Sequence, residues 1–346
     1  MNTVVALVLL FGVIAYGVLG GADFGTGLWD LTAGGADRGA RPRALIDHAI
    51  GPVWEANHTW VIFCLVVLWS GFPTAFAAVM TTLYIPLGIA AFGIVLRGSG
   101  FAFRKVAMRT SEARLNGVAF ATSSIITPFC FGCVAGGVAS GRVPTAGSGD
   151  PVTSWLNPTS VLGGVLAVLV CGYLAAVFLI AEAWRENQPD LEHWSRRRAL
   201  VAAVLAGALA IAGLFILRED AHRMFHRLLH NGWPLIAVSA LAGIAVLVSP
   251  AVPALRNRPA LLRPLGALAV AAVLAGWGVG QYPYLLGTHL SIDAAAAPPA
   301  TMQALGVVTV LAVVLVLPSL FWLFTLTHRG LLRDPDDHPP VTTATS

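Results

Sequence analysis

Long apolar runs separated by short polar segments dominate the pattern of hydrophobic and polar positions along the chain. Nine of these runs have the length that crosses a bilayer as an α-helix, about 20 residues. They lie near 4–22, 53–70, 76–96, 117–138, 160–182, 199–217, 234–250, 262–281 and 303–327. Because the runs are continuous and do not alternate, they predict helices and exclude the strands of a membrane barrel. The pattern indicates an all-α polytopic membrane protein with one transmembrane domain, 1–328, and a polar cytoplasmic tail, 329–346.

Composition supports the same class of protein. Of the 346 residues, 57% are hydrophobic and 11% are charged, whereas a soluble domain has roughly 25% charged residues. The mean hydropathy is +0.77. These values exclude a soluble enzyme. The basic residues are scattered between apolar runs, and this excludes a nucleic-acid-binding face.

The distribution of basic residues predicts the orientation. Short cytoplasmic loops are enriched in Lys and Arg. Of the 21 basic residues, seventeen follow odd-numbered runs, and Arg97 is counted among them as a loop residue after the third run. The N-terminus is therefore predicted outside and the C-terminus in the cytoplasm. The first run has no basic residue before it, so we interpret it as a span and not as a cleaved signal peptide.

Three polar residues at membrane depth are the main candidates for function. Asp23 lies late in the first run, and Glu55 and His58 lie early in the second. An ionisable group at the centre of a membrane helix costs roughly 2.5–3.5 kcal/mol on insertion scales. Glu55 and His58 are three residues apart and share a helix face. We interpret the three as a proton pathway entering from the cytoplasm. The alternative is that they are helix-end residues bonded to backbone or interfacial water.

Glycines and histidines add further expectations. Gly21 and Gly25 have the spacing of a close helix–helix contact. A membrane haem held by two histidines needs facing pairs on helices, and of nine histidines only His58 lies well inside a run. Any electron transfer would therefore need a partner that carries the metal centres. Three histidines spaced four residues apart between the sixth and seventh runs favour an amphipathic interfacial segment, with metal binding as the alternative: His222, His226 and His230.

Two remaining features have structural interpretations. Cys130 and Cys133 lie in an apolar helix, where we expect small buried side chains rather than a redox or zinc site. Glu182 ends the fifth run, where Arg185 can pair with it. The segment 281–299, rich in aromatic residues and prolines, is either an interfacial belt or a packed cap over a partner.

Three motifs follow one another along the chain. They are Gly-Ala-Asp-Phe-Gly-Thr-Gly at 21–27, Gly-Pro-Val-Trp-Glu-Ala-Asn-His-Thr-Trp at 51–60, and Gln-Tyr-Pro-Tyr…Leu-Ser-Ile-Asp-Ala-Ala-Ala-Ala-Pro-Pro at 281–299. In this order they resemble subunit II of cytochrome bd-type quinol oxidases. The resemblance covers nearly the whole chain. Gly287 stands where many members of that family have Pro, which affects the expected local turn.

The resemblance implies a fold, partners and cofactors. The expected fold is two four-helix bundles plus one peripheral helix. The expected partner is a haem-bearing subunit I that forms a heterodimer with this chain, joined in some members by small accessory subunits. Low-spin haem b, high-spin haem b and haem d would all lie in that partner, and no metal would bind this chain. The complex would oxidise quinol and reduce dioxygen to water in the bacterial plasma membrane.

The family's intramembrane acids correspond to Asp23 and Glu55, which the resemblance places on a proton route. The resemblance also places Trp60 near an oxygen route. No motif identifies cofactor-binding residues. Two alternatives remain open at this point. The chain could be a proton-coupled secondary transporter that uses Asp23, Glu55 and His58, although we see no second interrupted helix of the kind such folds carry. It could also be a structural membrane anchor, in which these acids would have no role.

Overall fold

The computed structural model describes residues 1–50, 54–106, 110–252, 255 and 258–328, and it leaves the side chains of 54–56 and of several other positions undescribed. Within these ranges the chain is almost wholly helical. The helices are α1 (Asn2–Leu31), α2 (Ala36–Ile50), α3 (Trp54–Gly71), α4 (Pro73–Thr82), α5 (Tyr84–Val106), α6 (Thr110–Ala139), α7 (Pro158–Arg185), α8 (Pro189–Asp220), α9 (His222–His230), α10 (Trp233–Val248), α11 (Leu262–Gln281), α12 (Ile292–Ala295) and α13 (Pro299–His328). A short antiparallel hairpin, β1 (Tyr284–Leu286) and β2 (Leu290–Ser291), follows α11.

Length and hydropathy identify five described helices that can each cross a bilayer: Asn2–Leu31, Gly117–Ala139, Pro158–Arg185, Pro189–Asp220 and Pro259–Gln281. Two pairs of helices are sharply bent, and each pair, taken together, has the length and hydropathy of one further span. Two more apolar helices are shorter than a span over their described residues. The all-α architecture predicted from the sequence is confirmed. The count of nine spans, the two-bundle arrangement and the orientation stay predictions. The predicted tail, 329–346, lies outside the described residues.

The third predicted run, 76–96, is wrong as a single helix. It crosses two helices, α4 and α5, which Leu83 separates, and α4 is bent by 120° from α3. Pro86 supplies a physical reason for the break, because a proline ring clashes with the carbonyl four residues earlier. Apolar residues continue through the break, so hydropathy alone does not register it. Since α5 continues to Val106, Arg97 lies inside a helix and not in a loop.

Helix ends follow local sequence signals. The side chain of Asn157 caps α7 by accepting from the Ser160 backbone N–H at 2.9 Å, and Pro158 occupies the first helical position, where its missing N–H costs nothing. At the end of α6, Gly141 has φ +74°. Arg142 N–H there bonds back to the Gly137 carbonyl at 3.2 Å, which is typical of a glycine-terminated helix.

Helix α7 forms the centre of the larger core. Its segment from Leu174 to Val177 is fully buried, and the helix packs against α1, α6, α8 and α11. Helices α8 and α13, by contrast, present many exposed apolar side chains, among them Phe215 and Phe321 at 70% and 73% exposure. Such surfaces in a polytopic protein face lipid or another subunit.

A second core lies at the end of the molecule where the hairpin packs. Leu286, Leu290 and Ile292 are buried there by the chain itself, so part of the segment 281–299 packs on this chain, and a cap over a partner stays a prediction. Asn2 donates to Asp293 at 2.9 Å, which ties the first helix to this segment. Gly287 has φ +52°. Proline, whose φ is fixed near −65°, cannot adopt this turn, which accounts locally for the glycine.

Candidate functional site

Glycines allow α1 to approach its neighbours closely. A Cβ atom added at Gly25 would overlap the backbone carbonyl of Cys171 on α7, and one at Gly21 would lie 3.5 Å from the Cys171 Sγ. A Cβ at Gly27 would overlap the Ser124 side chain on α6. The predicted small-residue contact at Gly21 and Gly25 is therefore confirmed. Every residue from Gly20 to Gly27 is buried, so Asp23 is held in a tightly packed segment.

Asp23 forms a buried ion pair with Arg97 of α5. The Arg97 Nη2 atom donates to Asp23 Oδ1 at 2.6 Å and to the Asp23 backbone carbonyl at 3.0 Å. Both side chains are only 2% exposed. Buried charges are normally paired and hydrogen-bonded, because an isolated charge in an apolar interior is very costly. The opposite charges allow two ionisable groups to lie inside this helix assembly.

The rest of the Arg97 guanidinium is also held by neighbouring groups. Its Nη1 donates to the Ser124 hydroxyl at 3.0 Å, and that hydroxyl donates in turn to the Phe120 carbonyl at 2.6 Å. The guanidinium carbon lies 5.1 Å and 4.6 Å from the ring centroids of Phe24 and Phe120, within the range of cation–π attraction. These contacts fix the position from which Arg97 meets Asp23.

Several buried polar atoms around this pair have no hydrogen-bond partner among the described residues. They are Asp23 Oδ2, Arg97 Nε, Tyr16 Oη and Thr127 Oγ1. Native structures satisfy most buried polar groups with protein or ordered water. Thr127 lies beside Gly93, one turn before Arg97 on α5. The four atoms therefore mark a polar region inside an otherwise apolar assembly.

His58 approaches the same region from α3. Its ring centroid lies 5.8 Å from that of Phe24 and 6.2 Å from that of Tyr16. The structure thus brings two of the three predicted residues, Asp23 and His58, to one neighbourhood. The Glu55 side chain lies outside the described residues, so the predicted proximity of Glu55 and Asp23 stays a prediction.

Trp60 lies one half-turn further along α3. Its ring contacts those of Phe11 and Phe63 edge to face, with centroid distances of 5.7 and 6.0 Å. The three rings form a half-buried apolar seam between α1 and α3. The predicted oxygen route at Trp60 stays a prediction.

A second ionic group lies at the end of α7. Glu182 Oε2 accepts from Arg185 at 3.2 Å, as the sequence predicted, and from Arg263 at 2.6 Å. Glu182 is 6% exposed. Arg263 comes from α11, so this group joins the two helices. Nearby, Asp30 at the end of α1 accepts from Arg43 of α2 at 2.9 Å.

Arg97 is the main residue that sequence reasoning missed. It was counted among cytoplasmic loop residues, whereas it lies in α5 and is 1% exposed. A signal was present in the sequence, because Arg97 is the only charged residue between Glu55 and Arg104. The predicted helix end at 96 concealed that position.

The other motifs have clear positions. Cys130 and Cys133 are buried, at 2% and 0% exposure, which confirms their interpretation as core side chains. The three spaced histidines lie on a helix, α9, with Met224 buried on its opposite face. The predicted amphipathic segment is therefore confirmed.

Comparisons with known proteins agree with one another. The family model of cytochrome bd terminal oxidase subunit II matches residues 1–327. The chain is 26% identical over 211 residues to cytochrome bd ubiquinol oxidase subunit 2 of Bacillus subtilis (strain 168), a match that covers 60% of each chain. It is 22% identical over 341 residues to the putative cytochrome bd menaquinol oxidase subunit II of the same organism, covering 95% of this chain and 96% of that one.

A solved structure shows the same fold. It is the bd oxidase from Geobacillus thermodenitrificans, which matches with a TM-score of 0.72 and 23% identity. The match covers 94% of this chain and 98% of the other. The arrangement of helices described above is therefore that of a known membrane-protein fold.

Proposed function

Because the chain belongs to the cytochrome bd terminal oxidase subunit II family, we propose that it is the haem-free subunit of a respiratory complex that oxidises quinol and reduces dioxygen to water. The haem-bearing subunit I would be its partner in a heterodimer, within the bacterial plasma membrane. Two helices with exposed apolar faces, α8 and α13, offer surfaces for that partner and for lipid. By covering such a surface, this subunit would stabilise the haem-bearing one.

The haems of the complex, two of type b and one of type d, belong in this proposal to the partner. The donor set of this chain does not fit a haem held by two histidines, which needs a facing pair inside the membrane. His58 lies on the apolar helix α3, and its ring packs against Phe24 and Tyr16 of α1, not against a second histidine.

The buried Asp23 group carries the proposal for a proton path. One carboxylate oxygen is fixed by Arg97 at 2.6 Å, and the other has no partner among the described residues. That second oxygen, with Tyr16 Oη and Thr127 Oγ1, suits ordered water, and a chain of waters and side chains transfers protons by successive hydrogen bonds. Arg97 would hold Asp23 in position without itself releasing a proton, since a guanidinium stays charged.

The remaining roles follow from position along α1 and α3. In the predicted orientation, Asp23 and Glu55 lie in the cytoplasmic half, so Glu55 would receive protons from that side. His58 can relay a proton through its two ring nitrogens. Trp60, Phe11 and Phe63 form an apolar seam, and dioxygen, which is small and apolar, needs only such a seam to pass.

Substitution of the acids tests this function. In the purified complex, we expect Asp23→Asn and Glu55→Gln each to slow quinol-driven oxygen consumption by roughly tenfold or more, because proton transfer by a positioned group contributes about 10²–10⁴-fold. Haem content and co-purification of the partner should persist. Asp23→Glu should recover part of the rate by restoring a carboxyl, and Glu219→Gln, at an 84% exposed side chain, is the matched control.

The outcomes separate the competing functions. Full turnover in both acid variants would contradict the proton path and favour a structural anchor. Purification of the chain without any haem-bearing partner would contradict the oxidase and favour the proton-coupled transporter. Loss of haem from the acid variants, without rescue by Asp23→Glu, would show a role in assembly rather than in proton transfer.

A further inference from the structure

Helix α9 connects α8 to α10 and carries a face of histidines that the proposed oxidase function does not use. His222, His226 and His230 follow one another at four-residue intervals, so they lie on one side of the helix. All three are exposed. The opposite side is fixed to the protein, since Met224 is buried against Gly280 of α11.

Two of these rings converge on a single point. The Nε2 atoms of His222 and His226 lie 3.0 Å apart, and the ring centroids are 4.4 Å apart at an interplanar angle of 79°. A tetrahedral zinc ion with Zn–N bonds of 2.0–2.1 Å separates two nitrogen ligands by about 3.3 Å. The two nitrogens therefore need to open by only about 0.3 Å to bind one metal ion.

The protonation of His222 suits a ligand. Its Nδ1 atom lies 3.1 Å from the Arg218 backbone carbonyl. A carbonyl only accepts hydrogen bonds, so Nδ1 carries the proton and donates it, and Nε2 keeps its lone pair. Metal-bound histidines typically donate their second ring nitrogen to a carbonyl or carboxylate in this way, which fixes the tautomer and the ring orientation.

Arg223, which follows His222 on the same helix, is turned toward the hairpin. Arg223 donates to the backbone carbonyls of Gly287 and Gln281, and its guanidinium lies 4.4 Å from the Tyr284 ring centroid. These contacts hold α9 against the hairpin and α11. They leave the histidine face open on a helix that the protein already anchors, and rigid support of this kind favours metal binding.

We propose that His222 and His226 form a surface site for a divalent transition-metal ion of the zinc type, in which their Nε2 atoms supply two ligands and water completes the coordination. Imidazole ligands suit Zn²⁺, Cu²⁺ and Ni²⁺, whereas Mg²⁺ prefers oxygen. Without metal, the His226 Nε2–H donates to the His222 lone pair. Metal binding uses the other neutral tautomer of His226: its proton moves through water from Nε2 to Nδ1, and the Nε2 lone pair then binds the ion. The metal thereby joins two successive turns of α9.

Zinc binding to the intact complex tests the site. After treatment with a chelator, the complex is dialysed against Zn²⁺ and the bound metal is measured by elemental analysis. We expect one zinc equivalent whose affinity falls roughly tenfold or more in His222→Gln and in His226→Gln, the scale on which loss of a metal-site partner acts. The control His230→Gln, on the next turn, should bind like the unsubstituted protein, and excess Mg²⁺ should not displace the zinc.

A second measurement, amide hydrogen exchange, reports zinc binding at α9 even if zinc also binds elsewhere on the complex. Zinc should slow amide hydrogen exchange within α9 of the unsubstituted complex and leave it unchanged in the His222→Gln/His226→Gln variant. Equal zinc affinity in all the variants, absence of the α9 protection, or an effect of His230→Gln in place of His222→Gln would each overturn the proposal. Because no outcome depends on oxygen consumption, failure here leaves the oxidase function standing.

Discussion

Replacing Arg97 with methionine removes one half of the ion pair buried between α1 and α5. The Asp23 carboxylate then keeps its burial but loses the donor at 2.6 Å. Breaking a buried pair in this way costs about 3–5 kcal/mol, because it leaves an uncompensated charge in an apolar interior. Methionine keeps much of the side-chain volume, so the loss reports the charge and the hydrogen bonds more than a cavity.

A double-mutant cycle isolates the interaction. If Asp23→Leu is combined with Arg97→Met, both charges disappear, and we expect the free energy of unfolding to recover to near the unsubstituted value, since apolar replacements of buried pairs are often neutral or better. The measurement is reversible unfolding of the purified complex in mixed micelles. The coupling energy between the two side chains comes from all three variants, because the single variants alone do not separate the interaction from the other effects of each substitution.

An exposed pair provides the control. Arg41 and Asp190 are joined by a salt bridge in which the side chains are 62% and 58% exposed. Surface pairs contribute about 0–1 kcal/mol, so Arg41→Met should change stability little. The reasoning is refuted if Arg97→Met is as mild as Arg41→Met, or if the two single losses at Asp23 and Arg97 simply add in the double variant.

Three further predictions follow from other parts of the chain. Gly25→Ala should destabilise the complex, because the new Cβ would overlap the Cys171 carbonyl. A thermal melt compared with Gly207→Ala, where a Cβ meets nothing within 4 Å, checks this. Equal melting temperatures of the two variants would contradict it. Hydrogen bonds from the backbone N–H groups of Thr153 and Val152 lower the pKa of Asp150. The loop it holds should therefore be fully stable above the unfolded pKa of about 3.9 and loosen as pH falls through the lower folded value. The protection factor of the Thr153 amide, its exchange rate relative to the intrinsic rate at the same pH, measures that loss, and an unchanged protection factor across this pH range would count against it. Finally, the chain purified without its partner should show no Soret absorption, and a Soret band would overturn the assignment of the haems to subunit I.

Much of the fold was predictable because burial in a membrane imposes a simple pattern. Apolar runs located the helices, and the spacing of Gly21 and Gly25 predicted a close helix contact, whose partner in the structure is α7. Glu182 and Arg185 lie three residues apart on one helix, so their pairing was visible locally. Local spacing determines each of these features.

What the sequence concealed depends on contacts between distant segments. Arg97 and Asp23 are separated by 74 residues, and no local pattern announces that they meet. Arg263 reaches Glu182 across 81 residues for the same reason. The break at Leu83 was missed because its cause is proline geometry, while the apolar composition on both sides is uninterrupted.

The separation of Asp23 from Arg97 also bears on how the protein is made. A ribosome adds about 5–20 residues per second, so the first helix emerges some seconds before its counter-ion exists, roughly 4–15 s for a separation of 74 positions. During that interval Asp23 has no counter-ion from α5. We therefore expect release of α1 into lipid to be coupled to synthesis of α5, so that the two helices insert together.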